Sequence, residues 1–120
     1  MTIQECYLQF GGDYESVLSR LRRDQLIQKF LLKFLEDPSY AQFVSAMAEE
    51  NYEEALRAVH TLKGICQNLS FTALYDSSSQ ITKAMKAHDY ESAMAMAPRL
   101  REDYEKIVRA VEAYRRPAEV

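Results

Sequence analysis

Residues 51–69 carry the segment "NYEEALRAVHTLKGICQNL", whose apolar positions recur every three to four residues. At about 100° per residue, with His60 set at zero, these positions fall between about 140° and 260°. That pattern predicts an amphipathic helix with a single buried stripe, which needs other helices to cover it. The stripe consists of Ala55, Ala58, Val59, Leu62, Ile65, Cys66 and Leu69.

Capping residues predict where this helix and its successors begin. Asn51 is the predicted N-cap, and Glu54 three residues later makes a variant of the capping box. Ser70 is predicted to cap a following helix that runs to about residue 87. Asp89 is predicted to cap a last helix that ends before Pro117.

The N-terminal third is predicted to form shorter helices. Gly11 and Gly12 predict a turn, after which Asp13 caps a helix to about residue 21. The segment "DQLIQKFLLKFLE", residues 24–36, is predicted to be helical. Asp37 then suits an N-cap and Pro38 the first helical position, so a further helix is expected to about residue 49. The alternative is that this helix and the preceding one form a single bent rod.

Composition favours an all-α fold, because three glycines and three prolines in 120 residues leave little material for hairpin turns. Short connections between amphipathic helices predict an antiparallel four-helix bundle with short N-terminal helices packed on it. We expect a single domain over residues 1–120, with the bundle core at about 24–115. A bundle that closes its own core needs no partner to fold, so a monomer is expected.

The net charge and the cysteine content bear on nucleic-acid binding and on the cellular compartment. A net charge of −3 does not indicate the basic surface that nucleic-acid binding requires. The two cysteines, Cys6 and Cys66, fit a reducing cytoplasm, and Cys66 falls in the apolar stripe. No signal peptide or membrane-spanning segment is indicated, so we expect a soluble cytoplasmic protein.

His60 lies on the side of the predicted helix opposite the apolar stripe. Arg57, Lys63, Gly64 and Gln67 fall within about 60° of it, so this face is predicted to be exposed to solvent. Glycine inside a helix costs roughly 0.5–1 kcal/mol relative to alanine. Helix stability therefore does not explain Gly64.

The sequence gives little support for His60 as a metal ligand or as the base of a serine or cysteine hydrolase. His88 is the only other histidine, and no cysteine or carboxylate lies one turn from His60, so no metal site is predicted. No serine or cysteine nucleophile is suitably spaced beside His60. An incidental surface histidine and an imidazole that is itself a nucleophile remain.

The neighbours of His60 suit attack of the imidazole on phosphorus. Lys63 at i+3, and Arg57 at i−3, could offset the charge of a phosphoryl group. Gly64 at i+4 removes a side chain from the approach of a second protein. Leu56, about 40° away, could offer that protein an apolar contact, or could simply lie at the rim of the helix.

The motif "HTLKG", residues 60–64, on the exposed face of a capped helix resembles the histidine-containing phosphotransfer (HPt) domain of bacterial two-component phosphorelays. The resemblance includes "NYEEAL" upstream, "CQNLSFTALYDSSSQI" continuing into the next helix, and "HDYESA" at the start of the last. It covers residues from about 24 to 115.

The resemblance implies that His60 is the phosphoacceptor, through Nε2, and that Lys63 stabilises the phosphoryl group. Gly64 would admit a response-regulator receiver domain, so the implied partners are receivers or a hybrid histidine kinase. Mg²⁺ and an acidic pocket would belong to the receiver, and this chain would need no cofactor. Since the sequence has no nucleotide-binding motif, we expect a stand-alone phosphocarrier rather than an enzyme.

The resemblance also suggests which residue orients the imidazole. Related proteins often have a glutamine 22 residues after the histidine, where this chain has Thr82. Thr82 is therefore a candidate, with Gln80 or Gln67 as substitutes or as solvated amides. Many members also have glycine where this chain has Ser70. A different class of protein, a helical adaptor that binds a receiver or another signalling partner without carrying phosphate, stays open.

Overall fold

The computed structural model describes residues 1–116, within which the secondary structure is entirely helical. The all-α prediction is confirmed. Seven helices follow one another in this described part: α1 Ile3–Gln9, α2 Tyr14–Leu21, α3 Asp24–Phe34, α4 Ser39–Ala48, α5 Tyr52–Leu69, α6 Thr72–Lys86 and α7 Tyr90–Arg115.

Helices α4 to α7 form the predicted antiparallel four-helix bundle, in which α5 packs between α4 and α6, and α6 packs on α7. Tyr40 of α4 stacks on Tyr104 of α7, with ring centroids 4.1 Å apart, so the first and last helices of the bundle also meet. On the outer side, Arg99 of α7 pairs with Asp76 of α6 at 2.6 Å. The bundle thereby fixes both flanks of α5, the helix that carries His60.

Helices α1 to α3 pack at the end of the bundle where α5 passes into α6. The hydroxyl of Tyr7 donates a hydrogen bond to the carbonyl of Leu69 at 2.8 Å. Phe71 is fully buried at this end, with the rings of Phe10 and Phe34 at 5.2 and 5.0 Å. Such edge-to-face aromatic packing stabilises beyond simple burial, so the short N-terminal helices are joined to the bundle by its core.

The predicted N-caps are confirmed at three helices. The side chains of Asp13, Asn51 and Asp89 each accept a hydrogen bond from the backbone N–H three residues later. The reciprocal half of the capping box does not form at Asn51. The Glu54 carboxylate pairs with Arg57 instead.

Ser70 is not the N-cap of α6, contrary to the prediction. It is the C-cap of α5, in the left-handed conformation with φ 57° and ψ 41°, and Phe71 occupies the N-cap position without a side-chain bond. A left-handed residue after the last turn lets backbone N–H groups bond to the free carbonyls at the helix end. Here the N–H of Ser70 bonds to the carbonyls of Cys66 and Gln67, so Ser70 ends α5 instead of beginning α6.

One other boundary differs from the prediction, and one helix was not predicted. Pro38 is the N-cap of α4 rather than its first helical residue, and Asp37 accepts from the N–H of Ser39 at 2.9 Å. Helix α1 was not specified from the sequence. The last helix ends at Arg115, as expected, while Pro117 lies outside the described residues.

No helix within residues 1–116 has the combination of length and apolar character that crossing a membrane requires.

Candidate functional site

Helix α5 holds His60 on its exposed face, because the opposite face is anchored in the core. Ala58, Val59 and Leu62 are buried beside and beneath it, and His60 itself is exposed. The orientation predicted from the apolar stripe is therefore confirmed. One member of the stripe, Ile65, is only half-buried at its edge.

The two cations near His60 differ in their surroundings. Arg57 is exposed, and its guanidinium lies 3.3 Å from the Glu54 carboxylate, so part of its charge is already offset. Lys63 is half-buried, and no carboxylate within residues 1–116 lies within 4.0 Å of its ammonium group. Lys63 is thus the better placed cation for a new negative charge on His60.

Gly64 faces open space. A Cβ atom built on its backbone would have no heavy atom within 4 Å outside the glycine's own surroundings in the helix. The packing requirement that keeps glycine at many helix interfaces is absent here. The surface next to His60 is consequently unobstructed at this position.

Leu56 lies one turn before His60 and is half-buried. It lines a surface pocket of about 370 Å³ with Tyr52, Met85 and His88, among other residues of the α5 start and the α6–α7 connection. The apolar surface predicted for a partner is therefore present at this end of the face. Its role as a contact stays a prediction.

Gln67 continues the exposed face toward the C-terminal end of α5. There the structure adds a residue that sequence patterns did not indicate, Arg20 of α2. Its guanidinium Nη1 donates to the carbonyl oxygens of Gln67 and Asn68, at 3.3 and 2.6 Å, and to the Oγ of Ser70 at 3.1 Å. Nothing local in the sequence relates positions 20 and 68, so this contact needed the folded chain.

The two α6 residues considered for orienting the imidazole make other hydrogen bonds. Thr82 is buried, and its hydroxyl donates to the carbonyl of Ser78 at 2.7 Å. The Gln80 amide donates to Asp76 at 3.0 Å. Neither side chain is hydrogen-bonded to His60, so the orienting role of either residue stays a prediction.

His88 belongs to a separate environment from His60. Its Nδ1 lies 2.8 Å from the Tyr90 hydroxyl at the start of α7. Within residues 1–116 no group of three or more histidine, cysteine or acidic side chains is arranged to hold a metal ion. The absence of a metal site stays an expectation.

Fold and site together define a class: a helical bundle that presents a histidine on an exposed helix face, with a cation at i+3 and open space at i+4. The family model of the Hpt domain matches residues 18–111. The chain therefore belongs to the Hpt domain family, whose members are histidine phosphotransfer modules of phosphorelays. Searches of curated proteins and of solved structures gave no significant match.

Proposed function

We propose that the chain is a stand-alone phosphorelay intermediate, which accepts a phosphoryl group on His60 from a receiver-domain aspartate and passes it to another receiver. The observation that carries this proposal is the exposed His60 beside the open surface at Gly64, in a chain of the Hpt family. An aspartyl phosphate buried in another protein reaches only a nucleophile on an unobstructed surface.

The transfer step follows from the chemistry of neutral imidazole. The Nε2 lone pair of His60 attacks phosphorus, the Nε2–P bond forms, and the P–O bond of the acyl phosphate breaks with its electron pair returning to the aspartate carboxylate. The imidazolium formed in this step releases its Nδ1 proton to solvent, and takes a proton up again before the reverse transfer. Because the reverse reaction uses the same atoms, the same site passes the group to a second receiver.

Lys63 is proposed to stabilise the phosphoryl oxygens. A phosphorylated side chain carries a charge of about −1.5 to −2, and Lys63 lies one helical turn from His60 without a carboxylate partner in the described part of the chain. Since no nucleotide-binding motif is present in the sequence, the phosphoryl group is supplied by the partner. Mg²⁺ is proposed to act in the receiver.

The test is incubation of the protein with a phosphorylated receiver, followed by analysis of the phosphate. Acid-labile, base-stable phosphate is expected on the wild-type chain and absent from His60→Gln. Because His60 is exposed, the variant should change the free energy of unfolding by no more than about 0.5 kcal/mol.

The matched control is His88→Gln, which alters the other histidine. Because His88 lines the pocket beside Leu56, this control is tested with phosphoramidate, a small donor that needs no docking surface, and it should still accept phosphate. Receiver binding without phosphate on the wild-type chain would instead support the helical adaptor. Phosphate retained by His60→Gln would contradict the assignment of the acceptor.

A further inference from the structure

Helix α2 contributes to the surface that surrounds His60, through the side chain of Arg20. The guanidinium crosses from α2 to the last turn of α5, where it donates to two backbone carbonyls and to the Ser70 hydroxyl. The Nε–H makes no hydrogen bond within residues 1–116. Arg20 is therefore held in place and keeps a donor available.

Arg20 shares a surface pocket with the residues beside His60. This pocket, of about 300 Å³, is lined by Arg20, Gly64, Gln67 and Asn68. Gly64 and Gln67 lie on the His60 face of α5, so a partner that covers Gly64 also meets the end of α2. Two helices of this chain, rather than α5 alone, form that part of the surface.

The charge of this surface opposes that of the whole molecule. The chain has a net charge of −3, whereas Arg20 and Lys63 have no carboxylate within 4.0 Å in the described residues. Fixed charges of one sign on such a patch raise the rate of encounter with an oppositely charged partner. The phosphorylation site of a receiver, with its aspartate, is acidic.

We propose that the receiver-docking surface extends from α5 onto α2, and that Arg20 contacts an acidic side chain at the rim of the receiver's phosphorylation site. This inference rests on the proposed phosphotransfer function. It makes Arg20 a residue that determines receiver affinity without touching the transferred phosphoryl group.

Asn68 provides a test that leaves the structural hydrogen bonds of Arg20 in place, because only its backbone carbonyl accepts from Arg20 and its side chain is exposed. Asn68→Glu places a carboxylate in the same pocket, and Asn68→Lys is the matched control of opposite charge. A third variant, Arg20→Gln, removes the guanidinium itself.

The measurement compares phosphorylation by a receiver with phosphorylation by phosphoramidate, a small donor that needs no docking surface. With the receiver at low salt, kcat/KM should fall about tenfold for Asn68→Glu and Arg20→Gln, and should be kept or raised for Asn68→Lys. The loss should shrink as salt is added, because exposed charges are screened. Phosphoramidate labelling should stay the same in all three variants.

Two results would overturn the inference. Equal receiver kinetics for Asn68→Glu, Asn68→Lys and wild type would show that the pocket is not covered by the receiver. An equal loss with phosphoramidate would show that the substitutions only disturb His60. Failure of the wild-type chain to take phosphate from either donor would instead contradict the proposed function, so the two proposals fail separately.

Discussion

At the scale of a single residue, substitutions of Gly64 should affect the stability of α5 and the access of a partner to His60 in opposite directions. Since a Cβ at this position meets nothing within 4 Å, Gly64→Ala should raise the free energy of unfolding by roughly 0.5–1 kcal/mol, and Gly64→Gln by somewhat less. Urea denaturation measures both effects.

The rate of phosphotransfer from a receiver should fall in the Gly64→Gln variant, although its stability rises. The longer side chain of Gly64→Gln projects from the surface that a receiver must cover, so transfer from a receiver should fall sharply while phosphoramidate still labels His60. A Gly64→Gln protein that is less stable than wild type, yet fully active with the receiver, would contradict this explanation of the glycine.

Lys63 is the second residue whose role can be isolated. Lys63→Ala should slow phosphotransfer and lower the yield of phosphorylated protein, because the phosphoryl charge loses its nearest cation. Arg57→Ala is the comparison, and its effect should be smaller because Glu54 already offsets the Arg57 charge. Single-turnover transfer from a labelled receiver measures both rates, and equal effects of the two substitutions would count against a special role for Lys63.

The sequence predicted those site features that depend on helical periodicity alone. The exposed side of α5 followed from seven apolar positions, so the orientation of His60 and the open space at Gly64 were accessible without the structure. Arg20 and Thr82 were not accessible in that way. Their hydrogen bonds depend on how α2 and α6 are placed on α5, and sequence spacing does not report such placement.

The connection between α5 and α6 depends on Ser70. A residue other than glycine in the left-handed region is strained by about 1–2 kcal/mol, and the Ser70 hydroxyl compensates through bonds to Ser16 at 3.0 Å and Arg20 at 3.1 Å. Ser70→Ala keeps the strain and loses the bonds, so it should be destabilised by about 1 kcal/mol. Ser70→Gly loses the bonds but relieves the strain, and should be close to wild type.

Chemical denaturation of the two variants side by side provides the measurement. Since neither side chain can form the hydrogen bonds, the difference between alanine and glycine reports the backbone strain less the extra entropy of glycine in the unfolded chain. Equal stabilities would show that the strain of the left-handed conformation is no larger than that entropy.

Element boundaries were predicted well where a side chain caps a helix and poorly where the backbone decides. Asp13, Asn51 and Asp89 are caps by virtue of their own oxygen atoms, which the sequence displays. Serine is a residue type favoured at N-caps, but the backbone of Ser70 has the left-handed conformation of a C-cap. Helix α1 has seven residues, too few for periodicity to distinguish a helix from a turn. Its start was nevertheless readable, because Thr2 and Glu5 form a complete capping box, and this signal was missed.

At the scale of the whole molecule, the two cysteines report whether α1 unfolds together with the bundle. Cys6 of α1 and Cys66 of α5 are both fully buried. Burial raises the pKa of the Cys6 thiol to about 11. It also raises the pKa of Cys66, with a smaller contribution from the charge of Asp37. In the native protein near neutral pH, neither thiolate is available for reaction.

Both thiols should therefore be alkylated slowly and at equal rates, because the core joins α1 to the bundle. Iodoacetamide labelling followed by mass spectrometry of the two peptides measures each rate in the wild-type protein, and denatured protein serves as the rapid control. Faster labelling of Cys6 would show that α1 opens on its own.

The hydrogen bond from Tyr7 to Leu69 joins positions separated by 62 residues, which affects how the chain emerges during synthesis. At about 5–20 residues per second, the ribosome needs roughly 3–12 seconds to make the residues between them. Throughout that interval Tyr7 of α1 lacks its later partners Leu69 and Phe71. We expect α1 to be synthesised well before the helices on which it docks, so a nascent chain stalled in that interval would present its apolar face to chaperones.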